Sequence, residues 1–429
     1  MAADRVARIR RPRAPLIGTV APKGDKSVSI RRALFSIFTK EQVALDNYGS
    51  GEDCLTALLC LRALGKRVEI QDSRIEIEGS ADQSCELDCR NSGTTARLLM
   101  GLLAGRVGEW TLIGDESLSR RPMQRVAEPL RRMGAMIELT HGKLPAKITG
   151  ARLHGATHDL EISSAQLKSA LLLAGLFAEG ETRVREPLSS RDHTERLLGL
   201  TQDAQGFWRV NPDCAKSLSA SSLSGEIPCD ISSAAFWAGA AMLVPGSVIT
   251  IRNLLLNPLR AGWITVLKRA GADISYRVEH VVGGEPVGTV IIRHSQLSSL
   301  KITADEVPGV IDEIPVLSVI ASVAGGTSRF ENLAELRVKE SDRLAAIADC
   351  LSLMNVRTMI SGDNLSVEGN SVLQAATIDP RGDHRIALAF ACAGLAAEDE
   401  TTILDPDCAS VSYPEFWSEL SSLSHQQVL

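Results

Sequence analysis

The residues that first suggest chemistry stand in six short polar clusters, each leading into an Ala/Leu-rich run. They read Gly24-Asp25-Lys26-Ser27, Asn91-Ser92-Gly93-Thr94, Ser163-Ser164-Ala165-Gln166, Asp230-Ile231-Ser232-Ser233, Asp312-Glu313-Ile314-Pro315 and Gly382-Asp383-His384-Arg385. Ser, Asp, Asn and Gly are preferred at helix N-caps, so each cluster taken alone predicts a capped helix start. The cations beside them are not explained that way. Lys26 and Arg31, Arg97, Lys168 and Arg385 follow closely behind the clusters, and a cap needs none of them. Free N–H groups and the positive end of a helix dipole already favour anions. Six such starts facing a shared centre, reinforced by Lys and Arg, would make a cleft for small, highly charged anions.

Acids accompany the cations. Asp312 alone reads as an N-cap, and Lys339-Glu340-Ser341-Asp342-Arg343 alone reads as a solvated, charged helix start. Set among cations, the same carboxyls could act as acid and base. His193 and His384 fit structural roles better than catalytic ones.

The elements that must position these residues are also legible. Behind each cluster the pattern is helical, then strand-like, then helical again, and the second helix tends to close on glycine, as at Leu64-Gly65, Met133-Gly134 and Ala270-Gly271. The runs that follow, Val68-Glu69-Ile70, Met136-Ile137-Glu138-Leu139 and Ile274-Ser275-Tyr276, alternate as half-buried strands do. Taking Gly24, Gly93, Ser164, Asp230, Asp312 and Gly382 as markers, the intervals are 69, 71, 66, 82 and 70 residues. A step so nearly constant implies a duplicated β-α-β-α-β unit of about 70 residues.

Composition sets the limits. A chain of 429 residues is long enough for two domains. Hydrophobic residues at 44% suit a globular core, whereas aromatics at 4% leave little for stacking nucleic-acid bases. The net charge of −6 argues against polyanion binding. The basic cluster Arg8-Ile9-Arg10-Arg11-Pro12-Arg13 lacks a Ser-rich amphipathic setting and follows Ala2-Ala3-Asp4, so it does not read as a targeting segment. No apolar run is long enough to span a membrane. Nine scattered cysteines, with Cys85-Glu86-Leu87-Asp88-Cys89 as the nearest approach to a metal motif, suggest a reducing cytoplasm rather than a disulfide framework.

Eight stretches together resemble a known family, the enolpyruvyl transferases, and within it the branch that acts on shikimate 3-phosphate. They are Gly24–Arg31, Asn91–Arg97, Ser119-Arg120-Arg121-Pro122-Met123, Ser164-Ala165-Gln166-Leu167-Lys168-Ser169, Ser190-Arg191-Asp192-His193-Thr194-Glu195, Asp312–Pro315, Leu336–Arg343 and Asp383-His384-Arg385. They follow the family's order across nearly the whole chain. The resemblance implies an α/β fold of two domains, an inside-out barrel of six βαβαββ-type repeats with three per domain. The chain would cross between domains twice, giving residues 1–24 plus 229–429 as one and 25–228 as the other, with a hinge near Gly225-Glu226-Ile227-Pro228.

What the resemblance implies for chemistry is transfer of the enolpyruvyl group of phosphoenolpyruvate to the 5-hydroxyl of shikimate 3-phosphate, with release of phosphate and without metal or redox cofactor. Lys26, Ser27, Arg31, Ser164, Gln166, Ser190, Arg191, Asp312 and Lys339 would bind shikimate 3-phosphate. Lys26, Gly93, Arg121, Gln166, Arg343 and Arg385 would bind phosphoenolpyruvate, with Arg343 and Arg385 on its carboxylate. Asp312 would be the base, and Glu340 with Lys26 would handle the methylene proton. The site would be divided between the domains, so shikimate 3-phosphate is expected to draw them together and favour the second substrate. The family's usual state, a cytoplasmic monomer, is the expectation here, with no nucleic-acid or membrane partner. Gly93, where resistant members carry alanine, implies sensitivity to glyphosate.

Some positions depart from the pattern. Ile30 replaces the usual His or Asn, Lys23 a common proline, and Ala409-Ser410-Val411-Ser412-Tyr413-Pro414 lacks a lysine that many members carry, which leaves one phosphoenolpyruvate contact open. Two alternatives stay in view: transfer to UDP-N-acetylglucosamine, and a non-catalytic anion-binding homologue. The first usually presents a cysteine, sometimes Asp, as proton donor in a loop that here reads Asp115-Glu116-Ser117-Leu118-Ser119-Arg120-Arg121-Pro122 and holds no cysteine, and Ser190-Arg191-Asp192-His193-Thr194-Glu195 suits shikimate phosphate instead. The second leaves the acid, the base and the arginine set without purpose. A protein-binding repeat scaffold would leave the cationic heads unexplained.

Overall fold

Five of the six polar clusters cap the helices that follow them. In the computed structural model, which describes residues 5–429, Asp25 accepts from Val28 N, Ser92 from Thr95 N, Ser164 from Leu167 N, Asp230 from Ser232 N and Ser233 N, and Asp383 from Arg385 N. Ala2-Ala3-Asp4, which bore on the targeting reading, lie outside the described residues. The helices so started are Lys26–Phe35, Gly93–Ala104, Ala165–Gly175, Ile231–Leu243 and His384–Gly394. The exception is Ile314–Val323, whose cap position is Glu313 and which has no side-chain cap. Asp312 is therefore released from capping. These helices are buried almost all round, Ile231–Leu243 along its entire length, as expected of helices without a polar face.

Among the described residues the strands form six sheets, and all six share one pattern. A central strand (Val43–Asp46, Glu109–Ile113, Thr182–Arg185, Val248–Leu255, Thr327–Phe330 or Thr401–Leu404) pairs with one neighbour in parallel and another antiparallel. In four repeats the parallel partner is the strand just before the buried helix, which makes a β-α-β crossover, as in Glu86–Asp88, Gly93–Ala104, Glu109–Ile113. The other two repeats exchange that strand. Ile17–Val20, which precedes the first buried helix, pairs with Val248–Leu255, while Gly225–Glu226, which precedes the fourth, pairs with Val43–Asp46. The third and sixth sheets have three strands; the other four have four. In the third repeat the second helix is cut to His193–Leu198, and the sixth is completed by Val6–Ile9 from the start of the chain. Gly65, Gly134 and Gly271 close second helices at φ of 105°, 102° and 104°, which a side chain would strain.

The strand exchange accompanies a division into two compact units. One holds the chain up to Lys23, Cys229–His280 and Pro286–Leu429; the other holds Gly24–Pro228 and Val281–Glu285. In the first, the helices Ile231–Leu243, Ile314–Val323 and His384–Gly394 pack on one another. Gly239 permits this, since a Cβ there would come within 2.6 Å of Val316 Cγ2. In the second unit, Gly93–Ala104 packs tightly on Ala165–Gly175 through Gly101, where a Cβ would fall 2.2 Å from the carbonyl oxygen of Ala170.

That contact sets how closely two of the polar heads approach. Backbone cannot yield as a flexible side chain can, so Gly101→Ala is expected to destabilise the protein by about 1–3 kcal/mol through overpacking. Urea unfolding monitored by tryptophan fluorescence checks this, and an unchanged midpoint would contradict such close packing.

Candidate active site

In the second unit the packed helices bring Gly93, Arg97, Arg121 and Gln166 together. Arg97 Nη1 donates to Gln166 Oε1 at 2.6 Å, and Gln166 Nε2 donates to Thr94 Oγ1 at 2.9 Å. Arg121 Nη2 donates to Asn91 Oδ1 at 2.7 Å and to Ser117 Oγ at 3.3 Å. Gly93 lies beneath both guanidinium groups. A Cβ added to it would stand 2.7 Å from Arg97 Nη1 and 3.4 Å from Arg121 Nη1.

On the first helix of that unit Lys26 pairs with Asp53, Nζ to Oδ2 at 2.9 Å, and Ser27 is buried. Arg31 is buried too, donating from Nε to Thr194 Oγ1 (2.9 Å), from Nη2 to Ser169 Oγ (3.1 Å) and from Nη1 to the Ser27 carbonyl (3.1 Å). Burial lowers its pKa to about 10, partly offset by Glu195 and Asp25, and Arg191 pushes it in the same direction as burial. Two cations close enough to disfavour each other are the natural counterpart of a multiply charged anion. Ser164 serves as an N-cap, the plain reading of its cluster. Ser190 is buried beside Arg191 and bonded to Glu186.

In the first unit the predicted residues converge on Asp312. Its carboxylate lies 3.6 Å from Lys339 Nζ, 3.5 Å from Arg343 Nη1 and 3.7 Å from Arg385 Nη2. Arg385 Nη1 also donates to the Asp312 carbonyl at 3.0 Å. Arg343 is 1% exposed. Burial alone would lower its pKa, but the carboxylates of Asp383, Glu340 and Asp312 outweigh that and hold it above the ordinary value. Its Nε donates to Asp383 Oδ2 at 2.7 Å, and its Nη2 donates to Glu340 Oε2. Arg343 thus joins the two carboxyls singled out for proton transfer.

Sequence reasoning missed several partners. Asp53 reads as an ordinary acid in the first turn of Glu52–Ala63, and only its contact to Lys26 sets it apart. Asn91 and Thr194 lay inside the motif stretches but carried no role. Asp383 caps its helix through Oδ1 and binds Arg343 through Oδ2, and the capping pattern conceals the second task. Lys168 faces inward, bound to Glu186 and Glu195, so it is not a cleft cation. The segment before Pro414 forms a short 3-10 helix, Pro406–Val411. It is anchored by Tyr413, whose oxygen accepts from Trp237 Nε1 at 2.8 Å.

Six repeats in two units are the architecture of the enolpyruvyl transferases, as solved structures show. The structure resembles that of the enolpyruvyl transferase NikO from Streptomyces tendae, with a TM-score of 0.76 over 98% of this chain and 97% of that one. At 20% identity this is a likeness of fold alone. EPSP synthase from Acinetobacter baumannii is nearer, with a TM-score of 0.84, 34% identity and 98% of both chains covered. The chain matches the family EPSP synthase (3-phosphoshikimate 1-carboxyvinyltransferase) over residues 10–420. It is 44% identical to the 3-phosphoshikimate 1-carboxyvinyltransferase of Synechococcus sp. (strain RCC307), over 95% of this chain and 97% of that protein. It is 40% identical to the one from Shouchella clausii, over 95% and 96%. The chain belongs to the EPSP synthase family.

Proposed function

We propose that the protein transfers the enolpyruvyl group of phosphoenolpyruvate to the 5-hydroxyl of shikimate 3-phosphate, on the shikimate route to chorismate and the aromatic amino acids. The observation that carries this reading is Asp312, a buried carboxylate that caps no helix and is held among Lys339, Arg343 and Arg385.

The roles follow from charge and hydrogen-bonding capacity. Asp312 accepts the proton of the 5-hydroxyl as that oxygen forms its bond to C2 of phosphoenolpyruvate, while a proton from Glu340 or Lys26 adds to C3. The tetrahedral ketal phosphate so formed then returns a C3 proton to the protein, and the bond from C2 to the phosphate oxygen breaks, releasing inorganic phosphate. Lys339, Arg343 and Arg385 hold the Asp312 carboxylate in place, where it can accept. Arg343 and Arg385 suit the phosphoenolpyruvate carboxylate because a planar guanidinium meets a carboxylate through two parallel bonds. Gly93 and Arg121 take its phosphate, Lys26 and Gln166 reach both substrates, and Ser27, Arg31, Ser164, Ser190, Arg191, Asp312 and Lys339 take shikimate 3-phosphate. We place the protein in the cytoplasm as a monomer acting on these small molecules, with no nucleic-acid or membrane partner; among the described residues no helix is long and apolar enough to cross a membrane.

Two sets of variants test these roles. Asp312→Asn and Glu340→Gln are expected to lower kcat by about 10²-fold or more with smaller changes in KM, and Arg343→Ala to act mainly on phosphoenolpyruvate. Steady-state phosphate release decides, and near-normal turnover in both carboxamide variants would reject the proton-transfer roles. Gly93→Ala presents a methyl to the ends of two flexible arginines rather than to backbone. The variant should therefore fold normally, yet bind phosphoenolpyruvate and glyphosate more weakly. Unchanged glyphosate inhibition in that variant would count against Gly93 as a phosphoenolpyruvate contact.

A further inference from the structure

Lys168 is buried, and its Nζ lies 2.6 Å from Glu186 Oε1, 2.8 Å from Glu195 Oε1 and 3.4 Å from the carbonyl oxygen of Ser190. The Glu186 side chain is 5% exposed and directs both oxygens at one residue. Oε1 accepts the Ser190 main-chain N–H at 2.7 Å, and Oε2 accepts the Ser190 hydroxyl, also at 2.7 Å. The carbonyl, N–H and hydroxyl of Ser190 are thus all fixed by one buried ion pair. They lie in the loop that joins the strand Thr182–Arg185 to the helix His193–Leu198 and carries Arg191.

A set of buried charges is a costly way to hold a loop if folding is all that is required, because apolar packing of similar volume is often as stable or more so. An ionised carboxylate offers what apolar packing cannot, two charge-assisted acceptors in fixed geometry. The ammonium between the carboxylates remains charged: burial works against it, but Glu195 and Glu186 raise its pKa. A serine has one hydroxyl hydrogen and two lone pairs. With that hydrogen given to Glu186, Ser190 can accept from a ligand hydroxyl but has no hydrogen to donate to a phosphate oxygen. Arg191, beside it, donates only.

We propose that Glu186, held by Lys168, is a positioning residue that fixes Ser190 as a hydrogen-bond acceptor for a ring hydroxyl of shikimate 3-phosphate and holds the loop carrying Arg191. This rests on the reading of Ser190 and Arg191 as substrate contacts given above. The phosphate then falls to Arg191 and the other cations of the unit.

The test compares Ser190→Ala, Glu186→Gln, Glu186→Asp and the double variant Glu186→Gln/Ser190→Ala. Each is followed by steady-state kinetics in both substrates, by calorimetric titration with shikimate 3-phosphate, and by thermal unfolding. Ser190→Ala is expected to raise KM for shikimate 3-phosphate about tenfold, the value of one good hydrogen bond, with kcat and KM for phosphoenolpyruvate within about twofold. Glu186→Gln should match it, and the double variant should be no worse than either single one. Glu186→Asp keeps a charge for Lys168 but is one methylene short of Ser190. It should therefore recover melting temperature without recovering KM, and it carries the test if the Gln variant does not fold. If Ser190→Ala leaves KM unchanged, the assignment of Ser190 to the substrate fails and the positioning role with it. If Ser190→Ala raises KM while Glu186 variants do not, or if the two effects multiply, the positioning role alone is overturned.

Discussion

Burying the N-termini of helices is the constraint on which the rest of this structure depends. A helix start leaves N–H groups without partners, and inside a protein each must be satisfied. Five of the six repeats answer with a side-chain cap, and those caps are the polar clusters that stand out in the sequence. Because the helices are buried almost all round, their starts are fixed by packing, as Gly101 against Ala170 and Gly239 against Val316 illustrate. Charged side chains placed just behind such starts inherit that rigidity.

Charge is managed differently in the two units. In the second, Arg31 is surrounded by hydroxyls and a carbonyl, so burial lowers its pKa and an incoming anion would relieve the cost. In the first, Arg343 is fully compensated by Asp383, Glu340 and Asp312. One arrangement suits binding of negative charge. The other suits proton movement, since carboxylates sharing a guanidinium are held in place. The fifth repeat makes this possible by leaving Asp312 out of the cap, a departure from the pattern that fits a functional position.

Much of this was legible in the sequence, for identifiable reasons. Cap residues, closing glycines and alternating strands are local signals, and they located the buried helices and the strands at Val68, Met136 and Ile274. The exchange of Ile17–Val20 and Gly225–Glu226 was not legible, because strand pairing is a long-range choice that short strands scarcely encode. Nor was the inward turn of Lys168. Its place behind a cap matched that of Arg97, and only the two glutamates folded against it separate a buried ion pair from a cation facing a ligand. Asp53 and Glu186 belong to the same class: acids whose importance lies in the partner they meet, not in their neighbours along the chain.

The central claim is that Glu340 or Lys26 adds a proton to C3 of phosphoenolpyruvate and the protein later removes one, while the hydroxyl of shikimate 3-phosphate takes the place of phosphate at C2. Reaction of both substrates in deuterium oxide, with the product's vinyl methylene observed by NMR alongside phosphate, tests this most directly. The account predicts one phosphate for each enolpyruvyl ether formed, and deuterium in the methylene of the product. Phosphate appearing with pyruvate in place of the ether, or an ether carrying no deuterium, would contradict it.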